Sequence, residues 1–334
     1  MNSNFLIKLN DLDNYFEPIK NNTPGPNTGF TVKGTDLAKL YLPKTINSFP
    51  AYAPITGFKV KGVDLNQLFQ PKGWAPGITQ RITYTVGSGT FDPSTLTAMV
   101  GYQVYLANVL MVAGGGGAGS GVDSPSNAYD MQGGGGGGGG GFKLFQYTLN
   151  GIQSYHVGTG GLGGAIPSYN VTPGNNGQTG DSTFFDIYLC TGGPGGNGGR
   201  FNASSAFVST VAGGYPNGGT GGGSDSTNYR TGDSGGSSTF ISIICPDGTL
   251  TAGGFSGGPG AGPHGSYYAG GGGGGGASAI GVGAGPSFST NLDNHGLNGA
   301  YYGSGASGGS DDYNGSQYQG VGGNGADGIM IIYY

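Results

Sequence analysis

The sequence predicts a mostly β and polyproline II fold, in which glycine-rich segments form a sandwich of packed polyproline II helices bracketed by β-strands. Uninterrupted glycine tracts occupy residues 114–117, 133–141 and 270–276, and β-rich runs bracket and interrupt them. A region of short strand–turn–helix repeats precedes this part of the chain. We therefore divide the chain into a repeat region, residues 1–79, and a glycine-rich body, residues 80–334.

A glycine tract has no side chains, so it can act only through its backbone. Such segments are usually flexible coil, because glycine has the most conformational freedom to lose on folding. The alternative is polyproline II, which has no internal hydrogen bonds and lets neighbouring chains without a Cβ bond to one another. Buried backbone groups must be paired. We therefore expect hydrogen bonds between tracts, with residues 133–141 spanning about 28 Å at roughly 3.1 Å per residue.

The repeat region contains three copies of one pattern, which start at Phe5, Phe30 and Phe58. Each copy has an aromatic residue, Ile or Val, Lys, an Asp-Leu pair and a final aromatic–x–Pro. Such a period indicates a repeated supersecondary unit. We expect each copy to form a short strand, a turn and one or two helical turns. In the second and third copies, Gly34 and Gly62 permit the turn.

The Asp-Leu pairs, which begin at Asp11, Asp36 and Asp64, suit a helix N-terminus, where a carboxylate caps free N–H groups. Two alternatives are open for the copies. They pack on one another as a small domain, or each docks an aromatic–aliphatic knob on a partner subunit. In the second case the docking residues would be Phe5, Leu12, Phe16, Phe30, Leu37, Tyr41, Phe58, Leu65 and Phe69.

From Gln80 onward, β-branched, aromatic and alternating apolar residues predict strands. Asn150-Gly151 joins two of them and is a strong hairpin signal. The first strand is expected to end at Gly87-Ser88-Gly89, and Pro246-Asp247-Gly248 predicts a turn. The predicted strands cover Arg81–Val86, Thr90–Val100, Tyr102–Ala113, Phe142–Leu149, Ile152–Val157, Ser182–Cys190, Ser238–Cys245 and Gly328–Tyr334.

Composition and charge argue against several classes of protein. Only 9% of the residues are charged, and nine of the twelve Lys and Arg residues lie at or before Arg81. The body has no basic patch, so we expect no nucleic-acid partner. No signal peptide is visible. The longest apolar run, Tyr105–Ala113, is too short to span a bilayer, so we expect no membrane insertion.

No pattern in the sequence predicts catalysis. His156, His264 and His295 have no Cys or His partners at metal-binding spacing, and Asp311-Asp312 lacks the spacing of an EF-hand. Matches to G-x-G-x-x-G arise by chance in so glycine-rich a chain, and none lies in a βαβ unit. We expect a protein that is not an enzyme, with no catalytic residue, cofactor or metal. Cys190 and Cys245 lie in apolar runs and are expected to be buried free thiols.

The body resembles a known family. Its order of Leu110–Gly117, the nine-glycine tract, Tyr155–Gly164, Thr251–Gly254 and Gly328–Tyr334 is similar to that of the glycine-rich domain of phage tail-fibre tip proteins and of surface proteins of large DNA viruses. The resemblance implies a sandwich of packed polyproline II helices whose distal loops contact the host. The repeat region resembles short segments of other virion proteins and is unexpected on a tail-fibre tip, so a capsid-associated fibre or spike is an alternative.

We therefore expect a virion surface protein that belongs to a symmetric assembly. Its repeats would attach to a viral structural protein, either the capsid or a fibre shaft, and tyrosine-rich segments would bind a host glycan or receptor. Tyrosine beside small polar residues is a contact-forming composition. The candidate receptor-binding residues are Tyr129, Tyr169, Tyr215, Tyr229, Tyr267, Tyr268, Tyr301, Tyr302, Tyr313 and Tyr318.

Other interpretations remain open from the residues alone. The tyrosines would instead cap the ends of the glycine lattice or fill space between its layers. The protein as a whole would be a minor capsid, cement or fibre component with a purely structural function. A third alternative is an ice-binding protein, since flat polyproline II arrays can bind ice, although the irregular tyrosine-rich inserts argue against it.

Overall fold

The structure of the protein is a computed structural model. It describes residues 77–78, 80–96, 104, 106–122, 133–166, 173–200, 209–223, 232–245, 248–260, 272–285, 295–309 and 320–334, together with the backbone of a few short strands elsewhere. The secondary structure is almost entirely β-sheet, and among the described residues only 94–96 are helical. The predicted β-rich class is therefore confirmed.

Six short strands lie in the repeat region: β1 (Phe16–Pro18), β2 (Thr31–Val32), β3 (Thr35–Asp36), β4 (Tyr41–Pro43), β5 (Lys59–Val60) and β6 (Val63–Asp64). Strand β2 pairs with β3, and β5 pairs with β6, in the same antiparallel register on either side of Gly34 and Gly62. Two-residue connections that contain glycine favour such hairpins.

The expected helical turn does not include the aromatic residue that ends each of the first two copies. Phe16 and Tyr41 lie in β1 and β4, which pair antiparallel with Glu17 opposite Leu42. Asp36 and Asp64 are the last residues of β3 and β6. Among the predicted docking residues, Phe5, Leu12, Phe30, Leu37, Phe58, Leu65 and Phe69 lie outside the described residues, as does Asp11.

Two four-stranded antiparallel sheets form the base of the body. The central sheet has the spatial order β10 (Phe142–Thr148), β9 (Leu106–Val112), β18 (Ile329–Tyr333) and β7 (Arg81–Tyr84). The outer sheet has the order β13 (Tyr188–Cys190), β12 (Thr183–Phe185), β11 (Gln153–Val157) and β8 (Gly87–Phe91). Two hairpins complete the body, β14 (Ile241–Cys245) with β15 (Gly248–Ala252), and β16 (Asp311–Asp312) with β17 (Tyr318–Gln319).

The central sheet is covered on both faces. Met111 and Met330 pack in one buried cluster with Phe185 of the outer sheet, whereas Leu110 packs in a second cluster with Leu250 of the β14–β15 hairpin. Strands β9 and β18 consequently have almost no exposed residue. Burial on both faces explains why their sequences are apolar except for Asn108 in β9, because a strand with one wet face would alternate.

The two cysteines are free and buried, as predicted. Cys190 belongs to the cluster between the central and outer sheets, and Cys245 belongs to the cluster on the opposite face of the central sheet. The Asn108 amide donates a hydrogen bond to the Cys245 sulfur (3.1 Å). The central sheet separates the two thiols, so they do not pair.

Most predicted strands are confirmed, but the Asn150-Gly151 hairpin was wrong. Gly151 has a φ of 106°, which suits a turn, yet the strands it joins lie in different sheets. Strand β10 pairs with β9, and β11 pairs with β8 and β12. Burial decides this pairing: Phe142 and Leu144 face one core cluster and Tyr147 faces the other. Both faces of β10 are used within the central sheet.

Three other predicted strands have different bounds. Of Thr90–Val100, only Thr90 and Phe91 lie in a strand, β8. The Ser94 N–H donates to Asp92 Oδ1 (2.9 Å), which caps a helical turn at 94–96, and residues 97–100 lie outside the described residues. The run Ser182–Cys190 is two strands, because the chain reverses at Asp186, which has a φ of 53°. The segment Gly87-Ser88-Gly89 does not end a strand and lies within β8. Gly89 is tolerated there because the ring of Tyr155 on the neighbouring strand occupies the space of a side chain.

Hydrogen bonds between glycine-rich segments follow a three-residue period. Successive N–H groups from Gly134 to Phe142 donate in rotation to three antiparallel neighbouring segments, over 2.7–3.0 Å. Gly134, Gly137 and Gly140 donate to Gly309, Ala306 and Gly303; Gly135, Gly138 and Gly141 donate to Asn197, Pro194 and Thr191; Gly136, Gly139 and Phe142 donate to Gly222, Gly219 and Pro216. One tract therefore bonds to neighbours in three directions.

The segment from Ala113 to Gly121 shows the same rotation. Its N–H groups donate to the segments 175–181, 320–326 and 135–141, again at every third residue. The segments are so close that a Cβ added at Gly137 would overlap the carbonyl oxygen of Gly116. Glycine is required at such positions by the approach of one main chain to another, as expected for a lattice held together by backbone hydrogen bonds.

Candidate functional site

The glycine-rich segments run between two ends of the body. At one end, which we call the sheet end, they continue directly into strands, as Gly141 does into β10. At the other, which we call the distal end, hydrogen bonds join segments remote from both sheets. There the Gly121 N–H donates to the Gly320 carbonyl (2.9 Å), and the Gly134 N–H donates to the Gly309 carbonyl (2.8 Å).

The connections between successive glycine-rich segments begin and end at the distal end. The described residues that flank these connections bond to one another there, as the Gly199 N–H does to the Ser120 carbonyl (2.8 Å). The distal connections are residues 123–132, 167–172, 201–208, 224–231, 261–271, 286–294 and 310–319. The glycine-rich segments together form a hydrogen-bonded frame, and the points where the distal connections join it therefore lie together at one end.

Seven of the candidate tyrosines belong to the distal connections. Tyr318 lies in β17, of which the backbone is described. The others lie outside the described residues, and they are Tyr129, Tyr169, Tyr229, Tyr267, Tyr268 and Tyr313. For this group, the structure therefore shows that the segments containing these tyrosines all leave the frame at the same end.

The remaining three candidate tyrosines lie at the sheet end. Tyr215 is 75% exposed and precedes Pro216, whose carbonyl accepts a hydrogen bond from the first residue of β10 (2.8 Å). Tyr301 and Tyr302 are 48% and 41% exposed, beside the turn that bonds Gly303 to Gly140. A Cβ at Gly281 would overlap the Tyr301 ring, so this ring covers a neighbouring turn. The structure thus separates these tyrosines from the distal group.

At the edge of the frame, where an outer glycine-rich segment has fewer neighbouring segments, polar side chains take the place of backbone carbonyls as hydrogen-bond acceptors. Asn324 Oδ1 accepts a hydrogen bond from the Gly163 N–H (2.7 Å), and Asp327 Oδ1 accepts one from the Gly160 N–H (2.8 Å). Asn324 and Asp327 are three residues apart, which matches the period of the lattice. A side chain at every third position between glycines is the sequence signal for this role, and no prediction above was drawn from it.

Polar groups also order the distal end itself. The Val321 N–H donates to His295 Nδ1 (3.0 Å), and the Asn175 amide donates to the Ala165 carbonyl (2.9 Å). Asn176 Oδ1 accepts a hydrogen bond from the Gly198 N–H (2.8 Å). These side chains hold the ends of the segments in place, so the distal connections start from fixed points.

Two titratable side chains beside the sheets, Tyr147 and Cys190, are buried. The Tyr147 hydroxyl donates to Asp186 Oδ2 (2.7 Å), and burial, with the nearby Asp186 carboxylate, raises the pKa of Tyr147 to about 12. Burial also raises the pKa of the Cys190 thiol to about 12. A thiol with so high a pKa is protonated near pH 7 and is a poor nucleophile.

One serine–histidine contact resembles part of a catalytic pair. Ser88 Oγ and His156 Nδ1 are 2.7 Å apart on neighbouring strands of the outer sheet. Both side chains lie on an exposed sheet face, and the His156 ring stacks on Phe184 at 5.8 Å. Nucleophilic catalysis also needs a group that orients the base and donors for an oxyanion, and this contact by itself supplies neither. We therefore interpret it as a cross-strand hydrogen bond.

Two other kinds of site are absent from the described residues. In that part of the chain, no group of three or more His, Cys, Asp or Glu residues is arranged to hold a metal ion. No helix there is long and apolar enough to cross a bilayer.

Comparison with known proteins gave one match. The model of a family described as a glycine-rich domain matches residues 79–334, which is most of the chain. A search of curated proteins found no match.

Proposed function

This chain belongs to the glycine-rich domain family, and from that premise we propose that it is a non-enzymatic virion surface protein, either a fibre or spike or the tip of a tail fibre. The repeat region attaches it to a viral structural protein. The distal connections present tyrosines to a glycan or another receptor on the host surface.

One observation carries the proposal. The chain enters the body through β7 at the sheet end, whereas the distal connections leave from the opposite end. An attachment region and a recognition region are therefore available at opposite ends of one body. Binding residues are commonly placed on loops that a rigid scaffold positions, and this arrangement supports the division of roles between the repeats and the distal connections.

We also propose that the glycine-rich segments are packed polyproline II helices. This conformation has three residues per turn, so every third N–H group points in the same direction. The rotation of hydrogen-bond partners along Gly134–Phe142 has this period and supports the assignment. At roughly 3.1 Å per residue, the tract from Gly133 to Gly141 would separate the two ends of the body by about 28 Å.

The lattice favours binding by fixing the attachment points of the distal connections. A loop anchored at both ends loses less conformational entropy on binding than a free segment does, so more of the contact energy appears as affinity. Tyrosine suits such loops because it offers a large, rigid, amphipathic surface with few rotatable bonds. Its ring can stack on a sugar while its hydroxyl forms hydrogen bonds, so we favour a glycan as the ligand.

The two groups of tyrosines provide a matched test of binding. The full chain and two variants are compared on a glycan array and on a panel of host cells. In one variant Tyr129, Tyr229, Tyr267 and Tyr268 are changed to Ser; in the control variant Tyr215, Tyr301 and Tyr302 are changed to Ser. We expect at least about tenfold weaker binding by the distal variant, because a buried interface aromatic contributes about 2 kcal/mol or more. We expect unchanged binding by the control.

Equal binding by the distal variant and the wild-type chain would contradict the proposed recognition role. Binding to isolated virus particles without binding to host envelopes or glycans would instead favour a purely structural capsid, cement or fibre component. Circular dichroism and thermal unfolding of each variant show whether a loss of binding reflects a loss of fold.

A further inference from the structure

Strand β14 has apolar residues on both of its faces. Ile241, Ile243 and Cys245 belong to or pack against the core cluster of the central sheet. Phe240, directly before the strand, lies on the other face with Ser242 and Ile244 of the strand itself. A strand with apolar residues on both faces is typical of one that is covered on both faces.

Among the described residues, nothing covers the outer face of the β14–β15 hairpin. Ile244 is 84% exposed and Phe240 is 61% exposed. Thr249 and Thr251 of β15 lie beside them and are also exposed. This outer face, which we call the hairpin face, therefore presents two apolar side chains separated by Ser242, with the hydroxyl groups of Thr249 and Thr251 at their side. Among the described residues, no charged residue lies on it.

The chain upstream of the body arrives at this hairpin. Ile78 packs against the same core cluster as Ile241 and Ile243. Its Cδ1 atom lies 3.0 Å from the position of a Cβ added at Gly248, the first residue of β15. Because Gly248 pairs with Cys245, the residue after Ile244, the upstream segment reaches the body next to the hairpin face.

The segment that leads to Ile78 contains Trp74, the one tryptophan in the sequence. Trp74 lies four positions before Ile78, and an extended chain of that length spans about 13 Å. Trp74 is therefore within reach of Ile244. An indole fits the hairpin face, because its ring needs apolar neighbours and its N–H needs a hydrogen-bond acceptor, which the hydroxyls of Thr249 and Thr251 provide.

We propose that the hairpin face is a docking surface for the segment of this same chain that precedes Ile78, with Trp74 as the anchoring side chain on Ile244, beside Thr249. The docked segment fixes the direction in which the repeat region leaves the body. This inference does not depend on the proposed receptor-binding function. It applies equally to a protein with a purely structural role.

Tryptophan fluorescence of the full chain tests the proposal directly. We expect the native emission maximum of Trp74 to lie at shorter wavelength than in urea, with protection from acrylamide. In Ile244→Ser, we expect a shift to longer wavelength and quenching close to that of the unfolded chain. The control is Ile187→Ser, because Ile187 is 83% exposed in the turn between β12 and β13. It should leave the emission unchanged.

The proposal is overturned if Trp74 of the folded wild-type chain has the emission and quenching of the unfolded chain, a measurement that requires no variant. It is also overturned if Ile244→Ser leaves both properties unchanged. Sedimentation of each variant addresses the competing occupant of the hairpin face. If Ile244→Ser dissociates an oligomer without altering Trp74 emission, the face binds a second copy of the chain and the proposed intramolecular docking is wrong.

Discussion

A single methyl group added inside the glycine lattice is expected to destabilise the protein strongly. Gly137 donates a hydrogen bond to the Ala306 carbonyl (2.9 Å), and an added Cβ would overlap the carbonyl oxygen of Gly116. The Gly116 segment cannot withdraw without strain, because the Gly116 N–H is itself bonded to Gly138 (2.8 Å). Gly137→Ala therefore forces two hydrogen-bonded main chains apart.

The expected magnitude follows from two contributions. Overpacking of a dense interior costs about 1–3 kcal/mol, and one weakened backbone hydrogen bond costs about 1 kcal/mol. Gly137→Ala should therefore lower the free energy of unfolding by about 2–4 kcal/mol, taking the sum of those contributions. If the tract were a coil, the same change would stabilise the protein by about 0.4–1 kcal/mol, since alanine restricts the unfolded chain. The two interpretations therefore predict changes of opposite sign in the free energy of unfolding.

Urea unfolding, followed by circular dichroism, measures this difference. The matched control is Ala165→Ser in an outer segment, where the side chains of Thr159, Leu162 and Ala165 are exposed at every third position. A change at an exposed position of this kind should stay within about 0.5 kcal/mol. A Gly137→Ala variant as stable as the wild-type chain, or more stable, would refute the close packing of main chains on which the lattice depends.

Two further predictions concern the sheets. Cys190 and Cys245 are buried, and burial raises the pKa of Cys190, so a thiol reagent at pH 8 should label neither until urea unfolds the chain; rapid labelling of the native protein would contradict this. Because the pKa of Tyr147 is raised to about 12 from its ordinary value of 10, its contribution to stability is complete below pH 10 and is lost as the pH rises towards 12. At pH 8, Tyr147→Phe should therefore lower the free energy of unfolding by about 1–3 kcal/mol, because the hydrogen bond to Asp186 is lost. Between pH 10 and 12 its stability should fall less than that of the wild-type chain. Tyr301→Phe is the control, and identical pH profiles of stability for Tyr147→Phe and the wild type would contradict the assignment.

The strands that the sequence predicted best are those buried on both faces. Leu106–Val112 and Ile329–Tyr333 are short apolar runs of β-branched and aliphatic residues, and such runs have few alternatives to a covered strand. The prediction failed where only a local turn signal was used. Asn150-Gly151 does turn the chain, but the cores on both sides of the central sheet decide which strands become neighbours.

The candidate site was only partly predictable. The tyrosine-rich composition of the inserts is a property of the sequence, but their division between two ends is not. Tyr215, Tyr301 and Tyr302 lie in inserts that look like the others, and only the direction of each glycine-rich segment places them beside the sheets. The role of Asn324 and Asp327 was unpredictable for the same reason, because their hydrogen bonds depend on which segment lies beside them in the folded protein.

The sequence by itself determined that this chain has β-strands and that its glycine tracts can be held only by main-chain bonds, because a residue without a side chain offers nothing else. It also indicated that the two cysteines are buried, since each lies in an apolar run, but that they do not pair follows only from the central sheet between them. Only the tertiary structure decided which segments are neighbours, which strands share a sheet and which tyrosines lie at the distal end. Glycine tracts of identical composition contain no information about their partners, so strand pairing and side-chain burial at the sheet end set the register of the whole lattice.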